Sequence, residues 1–291
     1  MICRALSMLA VLLPGLLFAE PRIAIIIDDI GYQRQLGERA IALDPAITLA
    51  VIPRSPHAQP LARQAVEAGR EVMIHLPMSA SFSPLLDPGG IRPGMAPENI
   101  AAVVREAFEL VPGARGLNNH MGSELTADQE SMHWLMHELA SHQVFFVDSR
   151  TTPESVAERT ARAHGLAAAG RDVFLDNERE ALDINSQFNT LLRIARQRGQ
   201  AIAIGHPYPE TLEYLETIIP LLADAGFKLV PVSELLPESP LHTAQANQLA
   251  TEKLAAEAST TEEPDIEEIS SQEKRDSRQA QRSGERASPP G

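Results

Sequence analysis

Ile23-Ala24-Ile25-Ile26-Ile27-Asp28-Asp29-Ile30-Gly31 is the stretch that decides how the chain is read. Five apolar residues, Ile23 to Ile27, run without alternation, the pattern of a strand buried on both faces. Two adjacent carboxylates follow at its C-terminal end, and Gly31 permits a sharp exit. Neighbouring side chains of a strand point to opposite faces, so Asp28 and Asp29 are expected to hold different roles. Like charges at the end of a buried strand cost free energy unless a cation or hydrogen-bond donors compensate. Two readings fit the pair. Either one Asp caps the next helix while the other meets solvent, or the two border a metal site.

Outward from this stretch the same pattern recurs. Apolar runs at 48–52, 72–74, 116–120, 144–147, 173–175, 201–205 and 228–230 alternate with amphipathic stretches at 56–68, 96–110, 128–141, 156–164, 183–198 and 209–224. Pro97-Glu98 suits a first helical turn, and Gly69 and Gly199 suit helix ends. The loop from Ser79 to Gly94 is long enough to be functional. About eight strand–helix alternations with no hairpin signal imply an α/β fold with a parallel sheet. Polar residues end nearly every strand rather than two at one crevice, which favours a closed (β/α) barrel over an open doubly wound sheet.

Composition narrows the partners. Of 291 residues 44% are hydrophobic, enough for a sizeable core, whereas a net charge of −14 disfavours nucleic acid and anionic membrane surfaces. Residues 1–19 read as a secretory signal: Arg4, an apolar run from Ala5 to Phe18, then Ala19. The run is short for a membrane span and contains Pro14, so export to the periplasm or beyond is expected, without stable membrane insertion. The single cysteine, Cys3, lies within that segment, so disulfides and thiolate metal sites are excluded from the mature chain. A globular domain is expected over 20–238. From 239 to 291 the chain is poor in large apolar residues and rich in Ala, Ser, Thr, Gln and mixed charges; it reads as a disordered tail, a tether or a docking segment for an envelope protein.

The strand ends offer Asp28, Asp29, His75, Asn119, His120, Asp148, Asp176 and His206, which a barrel would bring to one mouth. Two histidines and a carboxylate suit a divalent metal such as zinc with a position left for water. A further carboxylate could take a proton from that water, and another histidine could give one to a leaving group. Each residue has an ordinary structural role as well. Arg150 is expected to pair with Asp148 or Asp176 rather than with a substrate carboxylate, and Tyr208 either stacks on a sugar ring or packs at a helix start. His133 and His137, one helical turn apart, read as surface or core positions outside the mouth. His57, His142 and His164 fall at helix ends.

The segments IIIDDIG, EVMIHLPM, GLNNHMGS, FFVDSRT, DVFLDN and AIGHPYPETL resemble the divergent polysaccharide deacetylase family, relatives of NodB-type carbohydrate esterases, over about residues 22–236. The resemblance implies a distorted (β/α) barrel, usually of seven strands, and a polysaccharide or peptidoglycan-type glycan as substrate. It implies Asp28 as general base, Asp29 as metal ligand and His206 as general acid; Asp148 or Asp176 is expected to orient a histidine through its second nitrogen. The sequence departs from the NodB pattern at the metal. His75 is present, but Ser79 stands where a second histidine is usual, and His120 on the next strand is the expected replacement. Asn118-Asn119-His120-Met121 also replaces an arginine-proline-tyrosine motif.

Overall fold

The computed structural model describes residues 20–238; the expected leader at 1–19 and the expected tail at 239–291 lie outside the described residues. In chain order the elements are β1 (Arg22–Ile30), α1 (Arg34–Ile41), β2 (Thr48–Val51), α2 (Ala58–Glu67), β3 (Glu71–Met78), α3 (Pro97–Leu110), β4 (Gly116–Met121), α4 (Gln129–His142), β5 (Phe145–Asp148), α5 (Ala157–Ala163), β6 (Ala168–Gly170), β7 (Val173–Phe174), α6 (Ala181–Arg198), β8 (Gln200–Gly205), α7 (Pro209–Ile218) and β9 (Lys228–Leu229). Every strand pairing is parallel, and the lateral order is β6-β5-β4-β3-β2-β1-β8-β7, with β9 against the start of β1.

The two outer strands of that order belong to one stretch of chain. Residues 168–170 pair with β5, then Arg171 N–H donates to the Asp148 carbonyl and Asp172 N–H to the Ile202 carbonyl, and residues 173–174 pair with β8. One segment thus hands its pairing from β5 to β8 and closes the ring. Counted this way the barrel has seven staves, with β9 outside them.

Side chains sort by parity along each strand. Ile23, Ile25 and Ile27 pack outward under the helices with Ile74, Leu117, Phe146, Val173 and Leu175. Ala24 and Ile26 point inward with Met73, Phe145, Val147, Phe174, Ile202 and Ile204. Both sets are apolar, which is why the strands read as unbroken runs. Gly116 is required where β4 passes β5: a Cβ there would lie 2.1 Å from the Phe145 ring. At the N-terminal end Val232 and Leu235 enter the inner cluster, and the Thr48 hydroxyl, 2.9 Å from Glu71 Oε1, accepts from Val232 N–H. The opposite end of the barrel is left as the mouth.

Two elements were not foreseen. Helix α1, with the sequence RQLGERAI, contains few large apolar residues and a glycine, so its period is faint; Gly37 sits there because Leu61 of α2 crosses it closely. Strand β6 is Ala-Ala-Gly, too short and too small to register as a strand.

Candidate metal and proton-transfer site

Parity continues from the core into the mouth. Asp28 follows Ala24 and Ile26 inward, His75 follows Met73, and Asp176 and His206 follow Phe174 and Ile204. Asn118 and His120 lie on the inward positions of β4, alternating with outward Leu117. Asp29 ought to face the helices. Instead it adopts φ +55°, and the β1–β2 register shifts between Ile27 and Ile30. Asp is among the residues that tolerate this left-handed region, at a strain of about 1 kcal/mol. The kink brings both carboxylates to one histidine: His75 Nε2 lies 3.6 Å from Asp28 Oδ2 and 3.3 Å from Asp29 Oδ1. The expectation that alternation separates the two acids is thereby corrected. Neither acid caps α1, whose N-cap is Gln33 with no side-chain bond. Gly31 makes the exit at φ +128°, packed so closely that a Cβ would lie 1.8 Å from Ser55 Oγ.

Three candidate ligand atoms converge. Asp29 Oδ1, His75 Nε2 and His120 Nδ1 are mutually 3.0–3.3 Å apart, and they form the one such group of three among the described residues. Ligands at about 2.1 Å from a tetrahedral ion are about 3.4 Å apart, so the spacing fits one ion. The chemistry of the atoms agrees. Asp29 Oδ1 is buried and makes no properly directed hydrogen bond despite its two imidazole neighbours, as expected of an atom whose lone pair is meant for a cation. Burial alone would raise the Asp29 carboxyl, but His120 and His75 hold it well below the usual carboxylate range.

A second layer fixes these groups. The Asn118 amide donates to Asp28 Oδ1 at 2.7 Å, while its carbonyl oxygen lies 2.7 Å from His75 Nδ1. Accepting from Nδ1–H leaves His75 Nε2 as the lone-pair nitrogen. On the outer side, His120 Nε2 lies 3.3 Å from Asp87 Oδ2, which also accepts from the Tyr32 hydroxyl at 2.7 Å. Burial raises the Asp28 carboxyl, with His75 and His206 opposing.

Across the mouth Asp176 is saturated with donors. It accepts from the His206 backbone N–H at 2.6 Å, His206 Nδ1 at 2.9 Å and Thr211 Oγ1 at 2.8 Å. Burial pulls the His206 imidazole down, but the Asp176 carboxylate overrides it through a hydrogen bond and its charge and pushes it up to about 9. Phe174 and Tyr208 both stack on the His206 ring, at 5.8 and 5.4 Å between centroids, and the Arg179 guanidinium lies 3.6 Å over Tyr208. Tyr208 therefore positions His206 from the start of α7.

Other expectations are corrected. Asp148 occupies the outward parity of β5 with Phe146, so it orients no histidine; it accepts from Ser155 Oγ at 2.7 Å and from the Arg150 and Glu158 backbone N–H groups. Arg150 pairs with Glu158 at 2.7 Å, in the first turn of α5, rather than with Asp148 or Asp176. Asn119 also faces outward, bonding the Met121 carbonyl and the Ser149 N–H, a strut between β4 and β5. His133 and His137, by contrast, lie where the sequence puts them, exposed on α4 outside the mouth. Asn118, Asp87, Tyr32 and Phe174 were missed as site residues. Inward parity was the available signal for Asn118 and Phe174, and the long 79–94 loop was the signal for Asp87.

Comparison with known proteins agrees with this architecture. The family model for divergent polysaccharide deacetylases matches residues 25–236. The uncharacterized protein YibQ of Escherichia coli (strain K12) is 39% identical over 223 residues, 77% of this chain and 70% of that one. An uncharacterized protein of Haemophilus influenzae is 39% identical over 199 residues, 68% of this chain and 71% of its own. Among solved structures, the uncharacterized protein ATU2773 of Agrobacterium tumefaciens C58 superposes with a TM-score of 0.71 at 22% identity, covering 76% of this chain and 92% of that one, a likeness of fold. With that match over nearly all of its barrel, the chain belongs to the divergent polysaccharide deacetylase family.

Proposed function

We propose that this chain is an exported, metal-dependent hydrolase that removes acyl groups, N-acetyl foremost, from an envelope polysaccharide of the peptidoglycan type. The observation behind the reading is the convergence of Asp29 Oδ1, His75 Nε2 and His120 Nδ1 beside a fourth group, Asp28, that is buried and not needed as a ligand. A divalent ion held by those three, zinc by the chemistry of two imidazoles and a carboxylate, would supply Lewis acidity toward the acyl carbonyl and an acidified water. Asp28 has Oδ1 committed to Asn118, so Oδ2 is the atom that takes the proton from the attacking water. His206 has Nδ1 committed to Asp176, so Nε2 is the atom that delivers a proton to the departing amine. Tyr208 and Phe174 keep that ring in plane, and Tyr208 borders the space where a sugar would lie.

The decisive test is acetate release from N-acetylated glycan oligomers by untagged, zinc-loaded protein. Asp28→Asn should lower the rate by about 10²–10⁴-fold while zinc content by elemental analysis stays unchanged. Wild-type turnover in that variant would remove the base assignment. Export rests on residues 1–19 as a cleaved leader, and a periplasmic fraction whose intact mass matches a start near Glu20 is the expected result.

One observation favours a second reading, a barrel that binds glycan or an envelope partner without turnover. Ser79 stands where the usual second histidine would be, and its hydroxyl is buried without a hydrogen-bond partner. Glycan binding with no acetate released under any divalent metal would select this reading over the first.

A further inference from the structure

Three histidines outside the mouth form a second group. His133 and His137 stand one turn apart on α4 with near-parallel rings 6.5 Å between centroids. His164, the residue that ends α5, brings Nε2 to 3.1 Å from His133 Nδ1, and its ring lies 6.3 Å from that of His137. The ion-paired histidines among the described residues are His75, His120, His142 and His206, so none of these three spends its ring on a carboxylate. His133 and His137 are exposed, so their rings turn at little cost. Their i, i+4 spacing on one helical face is the one with which paired histidines chelate a divalent ion. The His133–His164 pair already has the separation of two ligands on a single ion, and rotation of His137 supplies the third.

We infer that His133, His137 and His164 form a second, surface site for an imidazole-seeking divalent transition metal ion (zinc, nickel or copper) bridging α4 and α5. The site is independent of the mouth and of the hydrolase reading. Three imidazoles with no paired carboxylate select such ions over magnesium and calcium, which prefer oxygen ligands. The remaining positions on the ion face solvent.

The chain carries its own reporter. Trp134 is the only tryptophan in the sequence, and its ring lies 4.8 Å from His133 and 6.3 Å from His137. A paramagnetic ion held by those histidines quenches its fluorescence. The untagged full-length protein is titrated with Cu²⁺ alone, beside His75→Ala/His120→Ala, His137→Ala and His164→Ala, each checked for an unchanged circular dichroism spectrum. Saturable quenching is expected in the wild type and, with the same midpoint, in His75→Ala/His120→Ala. The midpoint should rise about tenfold or more in His137→Ala and His164→Ala, since even an outer-shell partner of a metal site is worth 10–100-fold. Quenching that does not saturate, that keeps its midpoint in His137→Ala, or that vanishes in His75→Ala/His120→Ala overturns the assignment. A purely structural His133–His164 hydrogen bond would give the first of these results.

Discussion

On the β1, β3 and β4 side of the mouth, two imidazoles and two carboxylates crowd together, with His75 Nε2 facing both acids and Asp29 Oδ1 facing both histidines. On the β7 and β8 side a single imidazole faces a single carboxylate, His206 against Asp176. The residue types are the same and the arrangement decides their use. Where lone pairs from three groups point at one place, a cation is the economical filling. Where one ring is paired with one acid that is itself held by Thr211 and a backbone N–H, a proton is the filling, and the imidazole stays charged at neutral pH. In the proposed reading one half of the mouth holds a cation and the other a proton.

The comparison breaks first if the cation side is dismantled. In a chain whose surface His133, His137 and His164 are already alanine, His75→Ala together with His120→Ala should take zinc content from about one ion per chain to background, as elemental analysis would read. Retention of stoichiometric zinc by a mouth lacking both rings, once the surface histidines are also removed, would mean the three atoms are not a ligand set. Next in size is Asp176→Asn. The wild-type alkaline limb of the rate should lie near 9 and move toward the ordinary histidine value of about 6.5, a loss of up to about 100-fold at pH 8.5. Stability carries the same sign. His206 is raised in the folded state, so the stabilisation from its pair is complete below about pH 6.5 and lost as the pH rises through about 9. Melting temperature in the wild type should fall across that window, and in Asp176→Asn it should not. Asn118→Ala sharpens the contrast within the cation side. It leaves Asp28 Oδ1 and His75 Nδ1 buried and unpaired and should cost about 1–3 kcal/mol in chemical denaturation. The smallest effect is expected of Asp87→Asn, about tenfold weaker zinc affinity at little changed melting temperature, because Asp87 steadies the far nitrogen of His120 and an amide oxygen can still accept from the exposed Tyr32 hydroxyl.

The barrel was legible because strands buried on both faces leave apolar runs that no amphipathic helix imitates, and because their polar tips fall at one end of a parallel ring. Asp28, Asp29, His75, His120, Asp176 and His206 were legible for the same reason. What escaped depends on geometry finer than residue type. Asp148 looked equivalent to Asp176, yet it occupies the opposite parity of its strand and serves α5. Arg150 looked like a partner for the nearest acids, yet Glu158, eight residues on, is brought to it by the first turn of α5. The kink at Asp29 could not be read at all, since a left-handed Asp leaves no mark in the sequence. Asp87 reaches His120 from a loop whose path follows no periodicity.

The handover between residues 170 and 173 gives the ring a seam. Its two half-strands of three and two residues make short ladders with β5 and β8, and between them the Arg171 guanidinium bonds the Ser149 and Arg150 carbonyls. Short ladders exchange their amide hydrogens fastest, so deuterium uptake should begin there while β1, β3 and β4 remain protected. Any breathing of the ring is therefore expected to concentrate beside His206, while Asp29, His75 and His120 ride on the longer ladders of β1, β3 and β4.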